Sequence, residues 1–86
     1  MSSMTVLLSP EAQREFDRLP ATIRARVLRI FQRLTAWPEV SGAKPLSEDW
    51  AGHYRIRTGD WRVVFRVVTP RLIVVRIKHR SEVYED

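Results

Sequence analysis

The sequence predicts an α+β domain of order βααβββ, with an N-terminal helical hairpin packed on one face of a twisted, mainly antiparallel sheet. Three observations predict it. Apolar residues recur at helical spacing between residues 10 and 37. From residue 54 onward the period changes to two, the spacing of a half-buried strand. Between these regimes, residues 39–51 carry Gly42, Pro45 and several short polar side chains, the chemistry of a loop. At 86 residues, the chain is expected to form a single domain over residues 1–86.

The elements follow in order. Thr5-Val6-Leu7-Leu8 is short and apolar and reads as a strand. Ser9-Pro10-Glu11 opens a helix: serine caps the first turn, proline suits the first helical position and glutamate favours the positive dipole end. Ala12, Phe16 and Leu19 give its apolar stripe, and Pro20 ends it. A second helix is predicted from about Ala21 to Ala36, with Ile23, Val27, Ile30, Phe31, Leu34 and Trp37 on one side and Arg26, Arg29 and Arg33 on another. Pro38 stops it. Tyr54–Thr58 and Trp61–Val68 read as strands joined by a Gly59-Asp60 hairpin turn. Thr69-Pro70-Arg71 makes a second turn, and Leu72–Lys78, rich in Ile and Val, is the last strand.

Strand alternation sorts the side chains. A two-residue Gly59-Asp60 turn sets Arg57 opposite Arg62 and Arg55 opposite Val64. His53, Arg55, Arg57, Arg62 and Arg66 then share one face, while Tyr54, Ile56, Trp61, Val63 and Phe65 face the helices. The last strand divides into Ile73, Val75, Ile77 and His79 against Leu72, Val74, Arg76, Lys78 and Arg80. Burying unpaired guanidinium groups is costly, so the charged set is expected to leave the core. That requires Phe65 opposite Val75 and Arg62 opposite Lys78, hence a turn with an odd number of residues. The outcome is one face bearing Arg55, Arg57, Arg62, Arg66, Arg76, Lys78 and Arg80. Like charges across strands destabilise a sheet by a few tenths of a kcal/mol or more per pair, and solubility favours mixed signs instead. The clustering therefore points to a phosphate-binding face.

The charge balance agrees. Net charge is +5, carried by 13 Arg and only two Lys. Residues 1–49 hold seven basic and six acidic side chains, whereas residues 50–80 hold eight basic and one acidic. The arginine fork suits phosphate. The sequence contains no cysteine, which excludes disulfides, thiolate metal sites and thiol nucleophiles. Only His53 and His79 are histidines, so no metal or other cofactor is expected. No apolar run reaches the roughly 20 residues of a membrane span, and residues 1–4 lack the features of a signal peptide. No membrane association and a cytoplasmic location are expected.

RNA cleavage fits this inventory, because the ribose 2′-OH is an internal nucleophile. The protein must orient it, neutralise charge on the phosphorane and protonate the leaving oxygen. Arginines supply the electrostatics. A base or acid would come from Lys44, His53, His79, Tyr84 or a carboxylate. Lys44 and His53 also join the expected phosphate-binding set. Trp50, ahead of the sheet, reads equally as a lid, a stacking platform or a core plug.

The segment Gly52-His53-Tyr54-Arg55-Ile56-Arg57-Thr58-Gly59-Asp60-Trp61-Arg62-Val63-Val64-Phe65, followed by Val74–Tyr84 with its His79-Arg80-Ser81-Glu82-Val83-Tyr84 end, resembles the RelE/ParE superfamily of bacterial and archaeal toxins. The resemblance spans essentially the whole chain, including the Leu8-Ser9-Pro10-Glu11-Ala12 start, and favours the RelE-like branch. It implies the toxin of a type II toxin–antitoxin system that enters the ribosomal A site and cleaves mRNA there without metal, inhibiting translation. Its partners would be the ribosome, mRNA and a cognate antitoxin, in a toxin–antitoxin hetero-oligomer. The implied roles are charge neutralisation at the transition state for Arg62 and Arg80, phosphate positioning for Arg55 and Arg57, and base stacking or proton transfer for Tyr84. Some members carry lysines where Arg55 and Arg57 stand, and the general base is unassigned. The alternative is a ParE-like inhibitor of DNA gyrase that cuts no RNA.

Overall fold

A computed structural model describes residues 3–82. Its elements are β1 (Thr5–Leu8), α1 (Pro10–Asp17), α2 (Ala21–Leu34), β2 (Lys44–Pro45), β3 (Tyr54–Thr58), β4 (Trp61–Val68) and β5 (Arg71–His79). Short 3-10 turns occupy Glu48–Trp50 and Arg80–Glu82. The strands form one sheet of order β1-β5-β4-β3-β2, antiparallel except for the β1–β5 pair. The α+β class and the helical hairpin on one sheet face are as the sequence predicts.

The helix boundaries follow from capping. Ser9 accepts the Ala12 N–H at 3.1 Å and donates its own hydroxyl to the Val75 carbonyl at 2.9 Å. One side chain thus starts α1 and ties it to β5. Helix α2 ends at Leu34, two residues earlier than the apolar spacing suggests, and the chain continues in turns to Pro38. From the helices Ala12, Val27, Ile30 and Leu34 enter the core, with Leu19 from the turn between them. They meet Ile56, Val63, Phe65, Leu72, Val74 and Ile77 from the sheet. The Trp37 ring stands edge-on to Phe65 (5.3 Å between centroids) and to Tyr54 (4.8 Å), closing the β3 end of that core.

Two features depart from the sequence reading. Lys44–Pro45 is not loop but a two-residue edge strand, pairing Lys44 with Arg55 and Pro45 with Tyr54. Proline suits an edge, where a missing N–H breaks no ladder bond.

The second departure concerns the β4–β5 register. The turn has two residues, Thr69 and Pro70, since Val68 pairs with Arg71. That parity sends Leu72 and Val74 into the core, and Phe65 pairs with Val74, not Val75. A bulge between Val64 and Phe65 then shifts the register by one residue. Beyond it Val64 pairs with Arg76, Val63 with Ile77, Arg62 with Lys78 and Trp61 with His79. The expected Arg62–Lys78 pairing is met by a different device. The core takes Leu72, Val74 and Ile77, while Ile73 and Val75 are only half-buried.

Candidate nucleic-acid interface

The face of the sheet opposite the helices carries rows of cations across the strands. Arg57, Arg62 and Lys78 form one row, at the hairpin end. Lys44, Arg55, Val64 and Arg76 form the next. Directly opposed side chains in an antiparallel pair have Cβ atoms about 4.5–5.5 Å apart, so these side chains leave the sheet as near neighbours. Arg66 lies further along β4 opposite Ile73 and is exposed. His53 immediately precedes β3 and shares the parity of Arg55 and Arg57.

The turn that makes this hairpin depends on Gly59, whose φ of 60° falls in the left-handed region that favours glycine. An added Cβ there would meet Arg26 Nη1 from α2 at 3.4 Å. Asp60 in the same turn receives the Arg80 N–H on its carbonyl at 2.7 Å, and its carboxylate lies 3.8 Å from Arg80 Nε. Arg80 is thereby held beside the hairpin tip, at the same end as Arg57 and Arg62, with its side chain exposed.

The structure treats the expected basic residues unequally. Arg57 and Arg66 are exposed, as is Lys44, and Arg62 is half-buried. Arg55 has the expected pairing but is 4% exposed, between Lys44 and Val64. It belongs to the floor of the face, not to its rim.

Arg76 and Lys78 keep the expected register, yet their charged ends turn to α1. Glu15 Oε2 accepts from Arg76 Nε and Nη2 at 3.0 and 2.9 Å, and lies 3.0 Å from Lys78 Nζ. Its other oxygen accepts the Ile77 N–H at 2.7 Å. The reason is the sheet edge. Strand β1 covers β5 only from Arg71 to Val74, and the backbone beyond would lack a neighbour. Glu15 stands where the next strand's carbonyl would be. Burial pushes its carboxyl up, but hydrogen bonds from Arg76, Ile77 and Lys78 and the Arg76 charge outweigh this and hold it below its ordinary value. Lys78 therefore lines a shallow groove beside α1 with Glu15, Arg18, Trp61 and Glu82. Nothing local in the sequence marks Glu15, because its partners lie more than sixty residues away.

His79 faces the core side, as its parity predicts. Its ring stands edge-on to Trp61 at 5.1 Å, and its Nδ1 accepts the Ser81 N–H at 3.2 Å. Trp50 is not a core plug: it is 40% exposed, on the 3-10 turn ahead of β3. Tyr84 lies outside the described residues. Among the described residues no group of three or more His, Asp or Glu is placed to hold a metal ion, and no helix is long and apolar enough to cross a membrane.

Comparison with known proteins places this architecture. The family model described as ParE toxin of type II toxin-antitoxin system, parDE, matches residues 6–84. Toxin RelG of Mycobacterium tuberculosis is 31% identical over 83 residues, covering 93% of this chain and 94% of that protein. Among solved structures, the toxin–antitoxin complex RelBE2 from Mycobacterium tuberculosis contains a chain 29% identical, with a TM-score of 0.81 over 95% of this chain and 97% of that one. The isolated E. coli RelE toxin shares the fold at 16% identity, with a TM-score of 0.74 over 88% of this chain and 83% of that one. On its fold and on these matches over nearly its whole length, the chain belongs to the RelE/ParE superfamily and is a toxin of a type II toxin–antitoxin system.

Proposed function

We propose that this toxin is a ribosome-dependent endoribonuclease that cleaves mRNA in the A site without metal. The observation that carries the reading is the directly paired Arg57 and Arg62 at the hairpin end, with Arg80 held beside them by the Asp60 carbonyl, a concentration of guanidinium groups whose planar forks suit phosphate. In the reaction the ribose 2′-hydroxyl gives its proton to a general base as its oxygen bonds to the adjacent phosphorus, forming a 2′,3′-cyclic phosphate. The bond to the 5′-oxygen breaks, and that oxygen takes a proton. Arg62 and Arg80 would neutralise the charge that builds on the phosphorane, where fixed cations act most strongly. Arg57 and the exposed Lys44 and Arg66 would hold flanking phosphates. Arg55, at the floor of the face, would fix its electrostatic potential and the placement of the phosphate above it. Proton transfer would fall to Lys44, His53, His79, Tyr84 or a carboxylate.

The partners follow. The related structure from Mycobacterium tuberculosis is described as a toxin–antitoxin complex, and a cognate antitoxin is the expected partner here. An acidic segment would suit the basic face and would stabilise the toxin by mass action. A second reading, inhibition of DNA gyrase without RNA cleavage, is favoured by the ParE name of the matching family model.

Primer extension on translated messages after toxin induction separates the two. Breaks at ribosome-positioned codons, lost in Arg62→Ala, support the nuclease. DNA damage with intact mRNA overturns it in favour of the gyrase inhibitor.

A further inference from the structure

We propose that the Trp50 indole is a stacking platform for an unpaired RNA base at the β2 end of the basic face. The inference rests on the RNA-binding reading above and adds a base-contacting residue to it. Three observations lead there.

The first is exposure. Trp50 is 40% exposed, although a tryptophan gains most by burial. The second is construction. The turn bearing Trp50 is closed at its base by the Leu46 N–H to the His53 carbonyl at 2.8 Å, and internally by the Trp50, Ala51 and His53 N–H groups bonded to Ser47, Glu48 and Trp50 carbonyls at 3.1, 3.0 and 3.0 Å. Glu48 adopts a φ of 56° within it, a left-handed conformation that a side chain resists. The indole is thus presented by a turn that four backbone hydrogen bonds hold together.

The third is location. The Trp50 ring stands nearly perpendicular to His53, with centroids 5.2 Å apart, and an edge contact leaves more of an indole uncovered than a stacked one. His53 shares the parity of Arg55 and Arg57, and Lys44 pairs with Arg55 alongside. His53, just ahead of β3, and Arg55 and Arg57 within it therefore follow one another toward Arg62, with the Trp50 ring set against His53. Four residue steps of extended chain separate His53 from Arg57, about 13 Å. The stacked base is consequently remote from the phosphate held at Arg57 and Arg62. It contributes to binding and register, not to the bond-breaking step. Every base offers a π-face, so stacking is tolerant of sequence and needs no hydrogen-bond code.

The test is a binding titration of wild type, Trp50→Ala, Trp50→Phe and Arg57→Ala with a short single-stranded oligoribonucleotide, and with the same strand lacking one base at each position in turn. Circular dichroism checks that each variant is folded. Trp50→Ala should weaken binding roughly five- to a hundredfold, and Trp50→Phe should retain most of it. One base-free position should cost wild type a similar factor and cost Trp50→Ala almost nothing. If Trp50→Ala binds as wild type while Arg57→Ala is weakened, the stacking proposal fails and the RNA reading stands. A defect of Trp50→Ala confined to antitoxin binding also overturns it. If wild type binds no RNA at all, the stacking proposal fails, and primer extension on translated messages decides the RNA reading separately.

Discussion

Replacing Glu15 with glutamine isolates the device that seals β5. The carboxylate receives two bonds from Arg76, one ammonium at 3.0 Å and the Ile77 N–H at 2.7 Å. Side-chain exposures of 18% for Glu15, 33% for Arg76 and 25% for Lys78 place the cluster between a surface pair and a buried one. Exposed pairs contribute about 0–1 kcal/mol, whereas breaking a buried pair costs about 3–5 kcal/mol. About 2 kcal/mol is the expected loss for Glu15→Gln, since glutamine still accepts from Ile77 but turns an amide toward two cations. In a domain of this size, that lowers Tm by about 10 °C.

The pH dependence carries the sharper test. The Glu15 carboxyl is held below its ordinary value of 4.5, so the folded state binds its proton less readily than the unfolded chain does. Its contribution is fully present above that value and is lost as pH falls through the lower folded value. Urea titrations of wild type and Glu15→Gln between pH 7 and pH 3 should show a gap in midpoint at constant m that closes on the acid side. A gap that is equal at both ends, or no gap at neutral pH, would refute the assignment of Glu15 as an ionised clamp.

Further outcomes are expected. Arg62→Ala should abolish growth arrest while the domain stays folded, because Arg62 is a half-buried side chain on the sheet face opposite the helices and does not belong to the core. A thermal melt beside a toxicity assay checks both halves. Ser9→Ala removes the cap of α1 and its bond to Val75, and should lower stability by about 1–2 kcal/mol in urea melts without altering RNA binding. Binding to single-stranded RNA should weaken steeply with salt. About four phosphate contacts give a slope near −3 in log K against log salt, and a flat response would contradict the polyanion reading.

Much of the site was legible because the relations were local. The Gly59-Asp60 turn sets the β3–β4 register over five residues on either side, and alternation then places Arg55, Arg57, Arg62 and Arg66 on one face. Ser9-Pro10 marked the start of α1 in the same way. The demand that Arg62 oppose Lys78 was also readable, since the alternative buries guanidinium groups.

What only the tertiary structure decided depends on chain segments far apart. Whether an odd turn or a bulge satisfies the parity of β5 is a choice between two ways of inserting one residue. Packing of Leu72 and Val74 beneath Phe65 selects the bulge. Glu15 meets Arg76 and Ile77 only because β1 stops at Leu8 and leaves the edge of β5 for α1 to cover. The two-residue strand at Lys44 exists only through its pairing with β3, and the depth of Arg55 follows from the neighbours that this pairing brings. Alternation along a single strand assigns a side chain to a face. Which groups cover that face, and which charges are drawn from it to a partner, is decided by the packing of elements that the local pattern does not contain.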